Sequence, residues 1–154
     1  MPGRGWEGRR LVLAAVGMAV VTLLGTGGVA GAGERDPGGR KVSVGAGRSY
    51  TNVSPATLAR LLERKSFPLI NVHIPYAGEI AGTDLFLPFN EVEANARKLP
   101  ADKSARLVVY CLSGPMSDLA ARALVTLGYT DVWNLDGGMV AWTEAGYRLQ
   151  RKRR

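Results

Sequence analysis

The chain contains one cysteine, Cys111, at the head of the stretch CLSGPMSDLAARALVTLGYTDVWNLDGG. A thiolate is a strong nucleophile, but an ordinary cysteine is only partly ionised at neutral pH and depends on its surroundings to become reactive. A loop leading into a helix helps in two ways: the helix amino terminus carries partial positive charge, and its first backbone N–H groups have no intrahelical partner. Gly114 lacks a Cβ, so the loop can turn successive amides inward around the sulfur as an anion-binding nest. Ser113 and Ser117 add hydroxyl donors, and Ser117 is placed to cap the following helix. The chemistry this pattern predicts is covalent catalysis by a single residue, with no cofactor and no metal. His73, the one histidine, is a candidate auxiliary that could supply a positive charge or a proton if its strand neighbours that of Cys111; a hydrogen-bonded structural role is the commoner fate of such a residue.

The surrounding sequence predicts the elements that hold this loop. NVSPATLARLLERK reads as a helix with Ser54 as N-cap, Pro55 at its first position and Leu58, Leu61 and Leu62 on one face. FPLINVHI, RLVVYC and DVWNL read as buried strands, the second ending at Cys111. Pro88 keeps LFLPF out of a regular central strand, and Asn90 is expected to cap a helix through EVEANARKL. Leu119, Ala120, Ala123, Leu124 and Leu127 recur at helical spacing, Gly128 stops that helix, and MVAWTEAG closes the domain as a short helix. Strands separated by helices, without hairpin signals, predict an α/β fold with a mostly parallel sheet and sites beyond the carboxyl ends of its strands. Trp133, Met139 and Trp142 fall on core-like spacings, and Asn71 and Glu79 are expected to hold loops.

The pieces NVSPATLARLL, LINVH, LPADK, LVVYCLSG, ALVTLGYTDVWNLDGGMVAW and EAGY, in this order, resemble the rhodanese-like (sulfurtransferase) family over residues 50–150. The resemblance implies a central, mostly parallel sheet of about five short strands with helices on both faces. It also implies a persulfide mechanism: Cys111 takes a sulfane sulfur from a donor such as thiosulfate, a persulfide or a polysulfide and passes it to a thiol or cyanide. The amides of Leu112, Ser113, Gly114, Pro115, Met116 and Ser117 are then the expected cradle of the persulfide anion. Members of the family often read Cys-Arg-Ser-Gly-x-Arg-Ser in this loop; here Leu112 and Met116 stand where the arginines would be. The family's Asp-Val-Arg strand ending appears as Asn71-Val72-His73, and Gly-His-Ile-Pro-Gly appears as GEIAG, with Glu79 in place of the histidine. A charge-assisted hydrogen bond is worth roughly 1.5 to 3 kcal/mol, so the losses predict weak thiosulfate activity or a preference for less charged donors. Leu112 and Met116 suit an apolar pocket rim and an organic or protein thiol partner. The alternative is a catalytically inactive interaction module that retains Cys111 as a buried remnant. Phosphatase chemistry of the Cys-x5-Arg type is not expected, because its arginine position is occupied by Ser117.

Charge and length bound the rest. Of the net +7, residues 1–32 hold +2 and the tail RKRR +4, which leaves +1 for residues 33–150. With no basic face or aromatic interleaving, nucleic-acid binding is not expected; the termini are solubility devices or weak membrane-surface contacts. The basic start, the uncharged run from Leu11 and the small residues Ala30-Gly31-Ala32 form the layout of a secretory signal. The expected organisation is a signal peptide over 1–32 (or an uncleaved membrane anchor), a flexible arm over 33–49, the domain over 50–150 and a basic tail over 151–154. Export to the periplasm or medium goes with this reading, as does a monomer held together by its core, since one cysteine cannot form an internal disulfide.

Overall fold

The computed structural model describes residues 38–151. The expected signal peptide, the first part of the arm (33–37) and the tail beyond Arg151 lie outside the described residues. The strands are β1 (Arg40–Gly45), β2 (Arg48–Val53), β3 (Leu69–Asn71), β4 (Glu79–Ile80), β5 (Leu85–Phe86), β6 (Leu107–Tyr110), β7 (Val132–Leu135) and β8 (Leu149–Gln150). The helices are α1 (Pro55–Glu63), α2 (Pro115–Thr126) and α3 (Gly138–Glu144). Six strands form one sheet in the order β1-β2-β7-β6-β3-β5, while β4 and β8 pair as a small antiparallel ribbon. Every pairing in the large sheet is parallel except β1 with β2.

The three strands read from sequence, β3, β6 and β7, are buried along their whole length. Continuous apolar runs of this kind belong to strands covered on both faces. The pleat sorts their side chains between two cores. Leu107 and Val109 pack with Ala120, Ala121, Leu124 and Val125 of α2, whereas Val108 and Tyr110 pack with Leu58 of α1 and Met139 and Trp142 of α3. One helix therefore covers one face and two cover the other. Trp133, Met139 and Trp142 are all buried in the second core, as their spacing implies. Ser54 caps α1, its Oγ accepting from the Thr57 N–H at 3.2 Å, with Pro55 in the first turn.

Tyr110, at the end of β6, is fully buried and its hydroxyl is used twice. It accepts from the Ile80 N–H at 3.0 Å and shares a 2.7 Å hydrogen bond with Thr83 Oγ1. Burial pushes its pKa up to about 12, so the phenol stays protonated and fastens β4 to the central strand.

Two expectations need correction. The arm expected over 33–49 is ordered structure from Arg40 onward: β1 and β2 form a hairpin closed by Gly45, Ala46 and Gly47, all at positive φ. Lys41 and Ser43 face solvent, whereas Val42 and Val44 pack half-buried on the core. The alternation was present in KVSV, but only two apolar residues carry it and the glycines around it read as a linker. Among the described residues the large sheet accordingly has six strands, against the expected five or so. The helix expected from Asn90 is two short 3-10 turns, Phe89–Glu91 and Ala96–Lys98, with no side-chain cap. Of this segment only Val92 and Leu99 are buried, and two contacts a full seven residues apart offer too little packing to offset helix nucleation.

Candidate active site

β6 delivers Cys111 to the carboxyl end of the sheet, in line with the end of β3, where the Val72 N–H donates to the Tyr110 carbonyl at 2.9 Å. The chain turns there through Leu112, Ser113 and Gly114 and enters α2 at Pro115. Gly114 is the N-cap and lies at φ +116°, ψ −45°, a conformation that side chains rarely adopt. This geometry aims its N–H at the cysteine, with N to Sγ 3.0 Å. Ser117 Oγ stands 3.4 Å from Sγ and 3.0 Å from the Gly114 carbonyl. A hydroxyl has one proton, so Ser117 can donate to the sulfur or to the carbonyl, not to both.

Ser117 is therefore not the cap that its position in the sequence predicts. It sits inside α2, fully buried, and closes the loop from below. The expected cradle of amides from Leu112 to Ser117 also has a gap, because Pro115 has no N–H. Its place at the first helical position costs nothing to the helix, since that N–H would be an orphan anyway. Gly114 supplies the amide that reaches Sγ, while the N–H groups of Met116 and Ser117 belong to the first turn, whose dipole favours negative charge.

Leu112 stands exposed at the rim, but Met116 packs half-buried against the core under α2. The apolar rim expected of both is provided by Leu112 alone among the two. Cys111 itself is 1% exposed and unpaired.

His73 leaves the sheet beside this loop, at the end of the neighbouring strand. Its N–H donates to Asn71 Oδ1 at 3.0 Å, and Asn71 Nδ2 donates to the Gly78 carbonyl at 2.9 Å, so Asn71 holds the loop as expected. Glu79 is buried in β4. The His73 Nδ1 is buried without a hydrogen-bond partner among the described residues, and burial pushes the imidazole pKa below 6.5. The ring is thus neutral at neutral pH, and a positive charge on it is not supplied there. Among the described residues no hydrogen bond joins His73 to the cysteine loop, and no cluster of three or more His, Cys, Asp or Glu could hold a metal ion.

Three positioning groups were not anticipated. The Met139 N–H donates to the Cys111 carbonyl and the Val140 N–H to the Leu112 carbonyl, each at 2.9 Å. These bonds tie the cysteine loop to the start of α3 across the DGG turn. Gly138, at φ +58°, lies so close that a Cβ would press into backbone atoms of both Cys111 and Leu112. The paired glycines were the available signal, but read as a turn they did not reveal what they approach.

Comparison with known proteins places this domain in a family. The sequence model of the rhodanese-like domain matches residues 54–145. The chain belongs to the rhodanese-like domain family. This rhodanese-like domain is 33% identical over 102 residues to the thiosulfate sulfurtransferase GlpE of Shewanella oneidensis, covering 63% of this chain and 96% of that one. It is 31% identical over 105 residues to the uncharacterized protein slr1261 of Synechocystis, covering 66% of this chain but only 58% of that protein. The rhodanese-related protein of Thermoplasma volcanium has the same fold, with a TM-score of 0.54 and 24% identity over 64% of this chain and 95% of that one.

Proposed function

We propose that this domain is a sulfurtransferase or sulfane-sulfur carrier that holds the transferred sulfur as a persulfide on Cys111. The observation that carries the reading is the Gly114 N–H directed at Sγ from 3.0 Å, with the Ser117 hydroxyl 3.4 Å away and able to turn its one proton from the Gly114 carbonyl to the sulfur. Both stabilise negative charge at the sulfur without a basic side chain. Relatives named as sulfurtransferases support the general reaction class.

In the first half-reaction the Cys111 thiolate attacks the outer sulfur of a donor R–S–SH. A new Sγ–S bond forms, the donor's S–S bond breaks, and its electron pair leaves with RS⁻, which takes up a proton. An acceptor thiolate or cyanide then attacks the outer sulfur and returns Cys111 as a thiolate. The same scheme runs from thiosulfate with sulfite as leaving group. With leucine and methionine at the two arginine positions, persulfide and polysulfide donors are the preferred class. The amino-terminal segment directs the chain out of the cytoplasm, and the mature amino terminus is Gly33; terminal sequencing of exported protein tests this.

The near-complete burial of Cys111 favours a second reading, an inert module that binds a partner. Intact-mass measurement separates the two. The full chain incubated with a low-molecular-weight persulfide gains one sulfur atom, and Cys111→Ser gains none. If wild type gains no sulfur from either thiosulfate or a persulfide, the module reading stands and the enzyme reading falls.

A further inference from the structure

Beside the cysteine loop, between the carboxyl ends of β2 and β7 and the first turn of α2, lies an open cavity of about 490 Å³ lined by Asn52, Ser113, Gly114, Asp118, Asn134 and Asp136 among others. Asn52 and Asn134 are paired across the two strands, and Asn134 Nδ2 donates to Asn52 Oδ1 at 2.9 Å. Asn134 is 2% exposed, yet its Oδ1 has no hydrogen-bond partner among the described residues. A buried carbonyl oxygen left unpaired is costly and rare, and in a cavity wall it marks a place for a donor. Asp118 is already engaged, receiving the Tyr50 hydroxyl and the Arg122 guanidinium. Asp136 is not: among the described residues its one ion-pair partner is Arg40 at 4.0 Å, both side chains being mostly exposed, and a pair so long and so exposed holds little.

Gly114 belongs to both places. Its N–H faces Sγ and its residue lines the cavity. The two ends differ in sign: at the sulfur the protein offers N–H and O–H donors, and at the strand ends it offers an amide oxygen and a carboxylate. We infer that this cavity is a subsite for the ammonium end of an aminothiol persulfide, whose sulfur end meets Cys111. The substrate named here rests on the persulfide reading of the site; the binding of an ammonium group to the cavity does not. Asn134 Oδ1 accepts one N–H, Asp136 supplies the countercharge, and the exposed Leu119 on the cavity wall covers the short carbon chain between the two ends. Sulfur transfer from such a donor follows the balance given above, with the free aminothiol as the leaving group.

The test has a binding arm and a transfer arm, both with the full chain. In the first, the side-chain amide NMR signals of Asn134 and Asn52 are followed with two unreactive probes, 2-(methylthio)ethylamine and 3-(methylthio)propionate. The amine shifts both signals saturably at millimolar concentration and the carboxylate leaves them in place; shifts with the carboxylate, or with neither, overturn the subsite. In the second arm, sulfur loading is timed from the persulfides of cysteamine and of 3-mercaptopropionate. Wild type loads from the ammonium donor about tenfold faster, the scale of one charge-assisted hydrogen bond, and Asp136→Asn and Asn134→Leu abolish the difference. Asp136→Asn is a surface change, so the comparison survives if Asn134→Leu does not fold. Equal rates from both donors refute the subsite while leaving the persulfide reading intact. Binding of the amine probe without loading from any donor does the reverse.

Discussion

At the residue scale the site is made of backbone more than of side chains. One amide and one hydroxyl reach the Cys111 sulfur, and the positions of the family's arginines hold an exposed leucine and a half-buried methionine. Restoring a charge tests how much its absence matters. Met116→Arg is expected to raise the rate of sulfur loading from thiosulfate tenfold to a hundredfold, corresponding to roughly 1.5 to 3 kcal/mol, with little change for a neutral persulfide; rapid-quench intact mass reads both. His73 gives a second prediction, on stability. The folded protein keeps its buried imidazole neutral, whereas the unfolded chain protonates it near pH 6.5. Protons therefore favour the unfolded state: the contribution is intact above that value and is lost as the pH falls from it toward the lower folded-state pKa. Urea midpoints measured at about pH 7.5 and about pH 5.5 are expected to fall more for wild type than for His73→Gln.

At the scale of elements, the decisive contact is the start of α3 beneath the cysteine loop. The N–H groups of Met139 and Val140 hold the carbonyls of Cys111 and Leu112, and only a residue without a Cβ allows that approach at 138. Gly138→Ala must move backbone rather than a flexible side-chain tip, and it sits at positive φ. A loss of about 2 kcal/mol or more in unfolding free energy is expected, together with slower loading at Cys111, read by denaturant titration and intact mass. The loop, its cysteine and its glycine were legible in the sequence because Cys-x-x-Gly before a helical pattern is local. The roles of Ser117 and of the DGG turn were not. Ser117 is three residues past the true cap, and the ends of a helix are the least sharply marked part of a pattern read along the chain; the turn's hydrogen-bonded partners are 28 residues away along the chain.

For the molecule as a whole, two cores on opposite faces of one sheet hold the strand ends in register, and the hairpin of β1 and β2 extends that sheet on one side. Val42 and Val44 of β1 add to the core under α2. Excising residues 38–47 from the full chain is expected to lower stability by about 1 to 3 kcal/mol, the scale of two half-buried valines with their strand pairing. A midpoint unchanged in urea would restore the loose arm that the glycine-rich sequence suggests.

Local patterns sufficed for the parallel strands β3, β6 and β7, for α1 with its cap and Pro55, for α2, and for the cysteine at a strand's carboxyl end. Each of those signals is a periodicity or a neighbour within a few residues. Tertiary structure alone decided three things: that RKVSV pairs as an edge strand, that the segment after Asn90 stays in short 3-10 turns, and that Asn52, Asn134 and Asp136 converge beside Gly114. All three depend on which groups meet across the sheet. Burial and hydrogen-bond satisfaction are settled between residues as much as 82 positions apart, as for Asn52 and Asn134, and no window along the chain contains both partners.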